Sequence, residues 1–428
     1  MISRRVLASL LCSTIWLGGC VNSYFTVAGD AIDEATYTSI YPWYAEFCAL
    51  SEIDKKPGFG VEIVPGGAGG HSIIYLNGVC RVQDAGYPVV ALCNDGGTPK
   101  PGEGVGLSVN DHYRNANWIA TQGRNFVFRG DLRPGEALTK ERYLQTQKTA
   151  EEMGILDGVV FHREVFKDQP AGMSKTAFMY DMSVATDYAI GFGRDRYCAR
   201  VPLDRAKMAA IVKYLNQLNA PYRSGQKVFN WNVLENNCTH LAHNVLAVAG
   251  VWSEWPTDRP LLISAFDFPV PKNEFVNLML RTNEMPITDL GALYDDTSAR
   301  ATMLNWHYIP TRPGGLAEAV RAIRPNEVYN THLRLIFYDP PTPFGHYELW
   351  FNTIFSDPRY TDLRANLRHF SMLYTTTLAA RRAAYSRMPE RKADRGTFEA
   401  AYYDIIEREK AKLDEALRVL SAGPGQRS

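Results

Sequence analysis

The segment Glu235-Asn236-Asn237-Cys238-Thr239-His240-Leu241-Ala242-His243 holds the residue types and spacing in this chain that best suit chemistry. Asn237 is a good helix N-cap, which puts Cys238 at the first position of a helix continuing through Asn244 to Gly250. Free N–H groups and partial positive charge at a helix N-terminus stabilise a thiolate, so a cysteine there is a better nucleophile than one in a core. At about 100° per residue, Cys238 shares its face with Leu241, Ala242, Val245 and Ala249, so the thiol caps a buried stripe. The competing role is a buried structural cysteine, the commonest setting for this residue.

A thiol nucleophile needs a base. The best placed is His71, which follows the run Gly66-Gly67-Ala68-Gly69-Gly70 and opens the strand-like His71 to Leu76. Asn77-Gly78 between two strand-like runs is a hairpin signal. If Leu76 pairs with Val79, the register sets His71 opposite Asp84, making Asp84 the third member of a triad. A metal reading of Cys238, His240 and His243 is weaker, because on a helix His240 lies about 200° from Cys238. The glycine run lacks the Lys-Ser/Thr ending of a phosphate loop, and no cofactor is expected. The remaining histidines have no comparable setting.

The elements that would position these residues follow from pattern. A helical opening is expected over Asp33 to Leu50, divided at Pro42. Strands are expected at Phe59 to Val64, His71 to Leu76, Val79 to Gln83 and Pro88 to Cys93, then a loop from Asn94 to Gly106. Further strands are expected at Trp118 to Ala120, Phe126 to Phe128, Val159 to His162, Ala177 to Met182 and Tyr188 to Phe192. Thr139 to Met153 and Asp204 to Leu218 read as helices. Past Pro269 the chain becomes mainly helical. Trp306 to Tyr308 and Leu333 to Tyr338 read as strands there. Leu363 to Met388 and Thr397 to Leu420 read as an antiparallel helical hairpin with apolar stripes that form core. The expected units are 1–19, 20–58, 59–268 and 269–428.

Residues 1–19 read as an export signal: Arg4 and Arg5, an apolar stretch from Val6 to Leu17, then Gly18-Gly19. The stretch falls short of the roughly 20 apolar residues a transmembrane helix needs. Removing it takes two arginines from 46 basic residues and leaves 46 acidic ones. Nucleic acid is therefore an unsuitable partner, since neither the total charge nor any Lys/Arg run provides a basic patch. Cleavage takes Cys12, and beyond Cys20 the chain keeps Cys48, Cys80, Cys93, Cys198 and Cys238. That odd number suits two bridges and a free Cys238 in an oxidising compartment, with Cys80 and Cys93 as one candidate pair.

Two resemblances follow. Leu17-Gly18-Gly19-Cys20 resembles the bacterial lipobox, which implies lipid on Cys20, a membrane tether and a periplasmic position; Val21 in place of an acidic residue points to the outer membrane. An ordinary secretory signal is the alternative. A glycine-flanked histidine opening a strand, followed far downstream by Asn-Cys at a helix start, resembles the circularly permuted branch of the NlpC-type papain-like thiol enzymes. Asn237-Cys238-Thr239-His240-Leu241 is similar to the Asn-Cys-Glu-His-Phe motif of the lecithin:retinol acyltransferase family and to the Asn-Cys-Thr segment of periplasmic lipoprotein N-acyltransferase domains. The resemblance spans about Gly60 to Gly250, with an insertion around Asn94 to Gly154. It implies an α+β papain-like domain with an added helical C-terminal region. It also implies acyl transfer or hydrolysis through a thioester, with Cys238 as nucleophile, His71 as base and backbone N–H groups near Cys238 in an oxyanion hole. The implied substrates are an envelope lipid or acylated lipoprotein, or a peptidoglycan peptide. A scaffold that keeps the fold without activity is the reading from another class.

Overall fold

The computed structural model describes residues 20–23, 32–59, 70–233, 236–255, 270–331, 335–338, 346–380 and 395–421. The export signal, most of the Phe59 to Val64 strand and the glycines before Gly70 lie outside these residues. The chain is α+β with an antiparallel sheet at its centre. Its strands are β1 Cys20–Ser23, β2 Tyr44–Leu50, β3 His71–Asn77, β4 Val79–Arg81, β5 Val90–Leu92, β6 Gly104–Ser108, β7 Ile119–Gln122, β8 Arg196–Pro202, β9 Leu316–Val320 and β10 Leu335–Tyr338. Six form one sheet in the order β7-β6-β3-β2-β8-β9, while β4 pairs only with β5 and β1 with β10.

Pro42 does end a helix, Glu34–Ile40, but the next residues Tyr44–Leu50 form the central strand of the sheet, not a second helix. All seven are buried. Covered on both faces, the strand has no polar alternation to distinguish it from a helix. Strand β8 is also buried throughout, and its Arg196 and Arg200, of a residue type expected at the surface, lie inside the protein. Conversely, Phe126 to Phe128 and Ala177 to Met182 belong to helices Arg124–Arg129 and Lys175–Ser183. Tyr188 to Phe192 ends in a 3₁₀ turn, and Val159 to His162 contributes only a single bridge, Phe161 to Tyr113. Trp306 closes helix Thr297–Trp306 and is not in a strand.

The Asn77-Gly78 step does not make the expected hairpin. The neighbours of β3 are β2 and β6, and His71 faces Leu50 in the register. Gly78 has φ +93°, and a Cβ on it would meet the Trp43 ring at 2.4 Å. The tight left-handed step lets the chain leave one sheet for the small β4–β5 pair. The sheet also crosses the expected boundary at 268/269. Its edge strand β9 comes from the C-terminal region, and helix Pro271–Asn283 packs on β2 and β8. Helices Leu363–Ala379 and Arg395–Ser421 pack on each other, and Phe370, Tyr374, Phe398, Tyr402 and Ile405 share one buried cluster. Among the described residues no helix is long and apolar enough to cross a membrane.

One disulfide ties the central sheet and one the small β4–β5 pair. Cys48 on β2 pairs with the directly opposed Cys198 on β8, and Cys80 on β4 pairs with Cys93 just after β5. Cys238 is free.

Candidate active site

Asn237 caps the helix Cys238–Val248, its Oδ1 accepting from the N–H groups of Thr239 at 2.8 Å and His240 at 3.0 Å. Cys238 is the first helical residue and is half-buried, while Leu241, Ala242, Val245 and Ala249 are buried, as the helical face requires. The helix packs on β3, where Ser72 Oγ meets Thr239 Oγ1 at 3.4 Å. Successive side chains of a strand leave on opposite faces, so it is Ser72, next to His71, that touches the helix. The cap has a chemical consequence. It occupies two of the first-turn N–H groups expected to form an oxyanion hole.

His71 is buried and holds a different set of partners. Its Nε2 lies 3.1 Å from Ser108 Oγ, and Ser108 Oγ donates to Asp187 Oδ1 at 2.6 Å. With the Ser108 proton committed to the carboxylate, its oxygen accepts from the ring, which assigns the proton to Nε2 and leaves the lone pair on Nδ1. Asn110 Nδ2 also donates to Asp187 Oδ1, at 3.0 Å. No hydrogen bond joins the His71 ring to the Cys238 thiol. Burial, then the charges of Arg194 and Lys272, push the His71 pKa well below its ordinary value, so the ring is neutral.

Asp187 therefore takes the place foreseen for Asp84. Asp84 lies exposed in the short 3₁₀ turn Gln83–Ala85, away from His71, because β4 turns out of the sheet. Nothing local in the sequence marks Asp187, although its turn is unusual: Ala185 and Ala189, on either side, have φ of +60° and +50°. Each left-handed alanine costs about 1–2 kcal/mol. That strain is concentrated where a buried carboxylate is held, and burial raises the Asp187 pKa.

Two buried cations complete the site, and neither was foreseen. Arg194 donates from Nε to Ala185 O at 3.0 Å and from Nη1 to Ser51 O at 2.5 Å. Lys272, the second residue of its helix, donates to Leu50 O at 2.9 Å. Its Nζ lies against Gly70, where a Cβ would stand 2.1 Å from it, so the glycine before His71 is required by this approach. Both cations feel the charge of Cys238 as well as acting on His71. Burial first, then Arg194, pulls the Lys272 pKa from 10.5 down to about 7, and burial brings Arg194 to about 10.

Lys272 gives a stability signature. An unfolded lysine holds its proton up to about pH 10.5 while the folded one releases it near 7. The unfolded state therefore binds more protons between these values, and Lys272 makes folding more favourable as pH rises from 7 to 10. Relative to wild type, Lys272→Met should lack this rise, up to about 1.4 kcal/mol per pH unit. Parallel stability curves from urea unfolding at pH 7, 8.5 and 10 would show that the ammonium is not buried as described.

The two histidines after Cys238 are engaged elsewhere. His240 Nδ1 lies 3.2 Å from Asn237 Oδ1. His243 is stacked between Trp252 and Trp255, with Nδ1 2.6 Å from Glu274 Oε1 and Nε2 2.8 Å from Ser253 O. The clusters of metal-ligand type found among the described residues, Glu46-Cys48-Cys198 and Cys80-Cys93-Glu103, each contain a disulfide. Comparison with known proteins finds no matching family model, no matching curated protein and no matching solved structure.

Proposed function

We propose that this chain is a cysteine-dependent acyltransferase or hydrolase with a permuted papain-like core. In this reading it is tethered to the periplasmic face of a bacterial membrane through lipid on Cys20 and acts on an envelope amide or ester. The observation that carries the reading is Cys238: a half-exposed thiol outside the disulfides, first in a capped helix, with Arg194 and Lys272 nearby and a neutral His71 at the same end of the sheet. The two bridges support an oxidising compartment.

In this reading Cys238 sulfur attacks the acyl carbon, and its proton passes through His71 Nδ1 to the departing amine or alcohol, leaving a thioester. Water or an amine then attacks the thioester and returns the proton and free thiol. His71 leaves β3 on the face opposite Ser72, so this transfer needs the ring to reach Cys238 round the end of the strand, directly or through one water. Asp187, acting through Ser108, holds the ring in the tautomer this needs. Arg194 and Lys272 supply the positive potential that the developing oxyanion requires where the cap has taken the Thr239 and His240 N–H groups.

Incubation with mixed phospholipids and, separately, with muropeptides tests the substrate. The expected result is a thioester on Cys238, seen by intact mass, together with lysophospholipid. Muropeptide cleavage without lysophospholipid would reject the lipid substrate in favour of the peptide one. Absence of any adduct or product in both would leave the scaffold.

A further inference from the structure

A cavity of about 520 Å³, which Cys238 does not line, is closed on one side by the helix Arg395–Ser421. That volume is in the range of small-molecule sites. Its walls combine two chemistries. Tyr41, Trp43, Trp306, Tyr308 and Tyr374 supply aromatic surface, while Arg205, Arg312, Arg408 and Lys412 supply positive charge against only two carboxylates, Asp204 and Glu409.

Both carboxylates are already committed. Asp204 caps its helix at Lys207 N and pairs with Lys207 Nζ, and Glu409 lies 2.8 Å from Arg312 and 3.0 Å from Lys412. By formal charge the lining holds four cations to two carboxylates, and of the four Arg408 also pairs with the exposed Asp404 at 3.0 Å, outside the lining. Among the described residues Arg205 bonds only backbone carbonyls of the Asp95-Gly96 turn, and no carboxylate pairs with it there. Tyr308 sits at the centre, its ring between Lys207 Nζ at 4.3 Å and the Arg312 guanidinium at 5.0 Å. The ring is 3% exposed; the Arg312 guanidinium lies within reach of its hydroxyl oxygen, and the hydroxyl proton has no acceptor among the described residues. Buried polar groups are ordinarily bonded, so a phenolic donor left without an acceptor on a cavity wall calls for one from outside the chain.

We infer that this cavity binds an organic phosphomonoester carried on an aromatic or aliphatic body. A phosphomonoester brings about 1.5 to 2 negative charges near pH 7, matching the excess in the lining, and its oxygens suit guanidinium forks and a phenolic donor. The body of the ligand packs on the tyrosine and tryptophan faces. The inference assigns the C-terminal helices a role as one wall of a binding site, and it is independent of the thiol chemistry.

Phenyl phosphate is the probe, titrated into the whole protein by calorimetry and by fluorescence of Trp43 and Trp306, with phenol and inorganic phosphate as partial ligands and a short-chain phosphatidic acid to distinguish a lipid source. Phenyl phosphate or the phosphatidic acid should bind at least tenfold tighter than either partial ligand. Tyr308→Phe, which removes only the hydroxyl, should weaken binding about tenfold, and Lys412→Glu, at an exposed position, should do so without disturbing the fold. Cys238→Ala should bind as wild type does. Equal affinity for phenol and phenyl phosphate, or unchanged affinity in both Tyr308→Phe and Lys412→Glu, would overturn the assignment.

Discussion

Cys238→Ala protein is expected to form no acyl adduct, and His71→Ala protein to turn over about 10²–10⁴-fold more slowly than wild type, the usual contribution of a positioned base. Iodoacetamide near neutral pH should label Cys238 more slowly in His71→Ala than in wild type, with the four bridged cysteines unlabelled in both. The pH profile adds a second readout. Because burial and the two neighbouring cations lower the His71 pKa, the ring keeps its lone pair below its ordinary value of 6.5. The acid limb of activity should therefore fall below pH 6.5. Lys272→Met separates the two candidate bases: if the amine serves in place of the imidazole, Lys272→Met will slow labelling and His71→Ala will not, and the role given to His71 fails. Equal labelling in all three proteins would leave Cys238 an ordinary half-buried thiol.

The parts of this site that the sequence made legible are those fixed by neighbours along the chain. Asn237 before Cys238, Thr139 before Lys140 and Asp204 before Arg205 each cap a helix through their own side chains, and such caps act over two or three residues. His71 at the start of β3 was legible for the same reason. Cysteine parity also reached the correct thiol state, since pairing in a folded chain consumes cysteines two at a time. What surrounds His71 was not legible, because Ser108, Asp187, Arg194 and Lys272 come to it from four separate elements, and only the order of strands brings them in. That order depends on β2, whose complete burial erased the alternation that reveals strands, and on β8, whose buried Arg196 and Arg200 read as surface residues. Asp84 was misplaced through the same gap. A hairpin register is a sound inference only if the two strands share a sheet, and the left-handed step at Gly78 takes β4 out of it.

The most destructive single change outside the site is expected at Glu46. Glu46 is fully buried on β2 and accepts two hydrogen bonds from Arg124, Nε to Oε2 at 3.0 Å and Nη2 to Oε1 at 2.9 Å, with the buried Arg200 Nε 3.7 Å away. Arg200 also reaches Glu34 at 3.0 Å and Glu318 at 3.5 Å, so the cluster joins β2, β8, β9 and the two helices Glu34–Ile40 and Arg124–Arg129. Glu46→Ala leaves Arg124 and Arg200 short of their central counter-ion inside the protein. Breaking a buried pair in this way costs about 3–5 kcal/mol, far more than the 0–1 kcal/mol typical of a surface pair. The effect has a pH signature. Burial alone would raise the Glu46 pKa, but Arg124 and Arg200 outweigh it and bring the carboxyl from 4.5 to about 2. A depressed carboxylate contributes stability above its unfolded value and loses it as pH falls toward the folded one. The gap between wild type and Glu46→Ala in urea unfolding should thus be full at pH 6 and narrow between pH 4.5 and 2. A gap under about 1 kcal/mol at pH 6, the level of an exposed ion pair, would mean that water reaches the cluster and that its burial does not hold the sheet together.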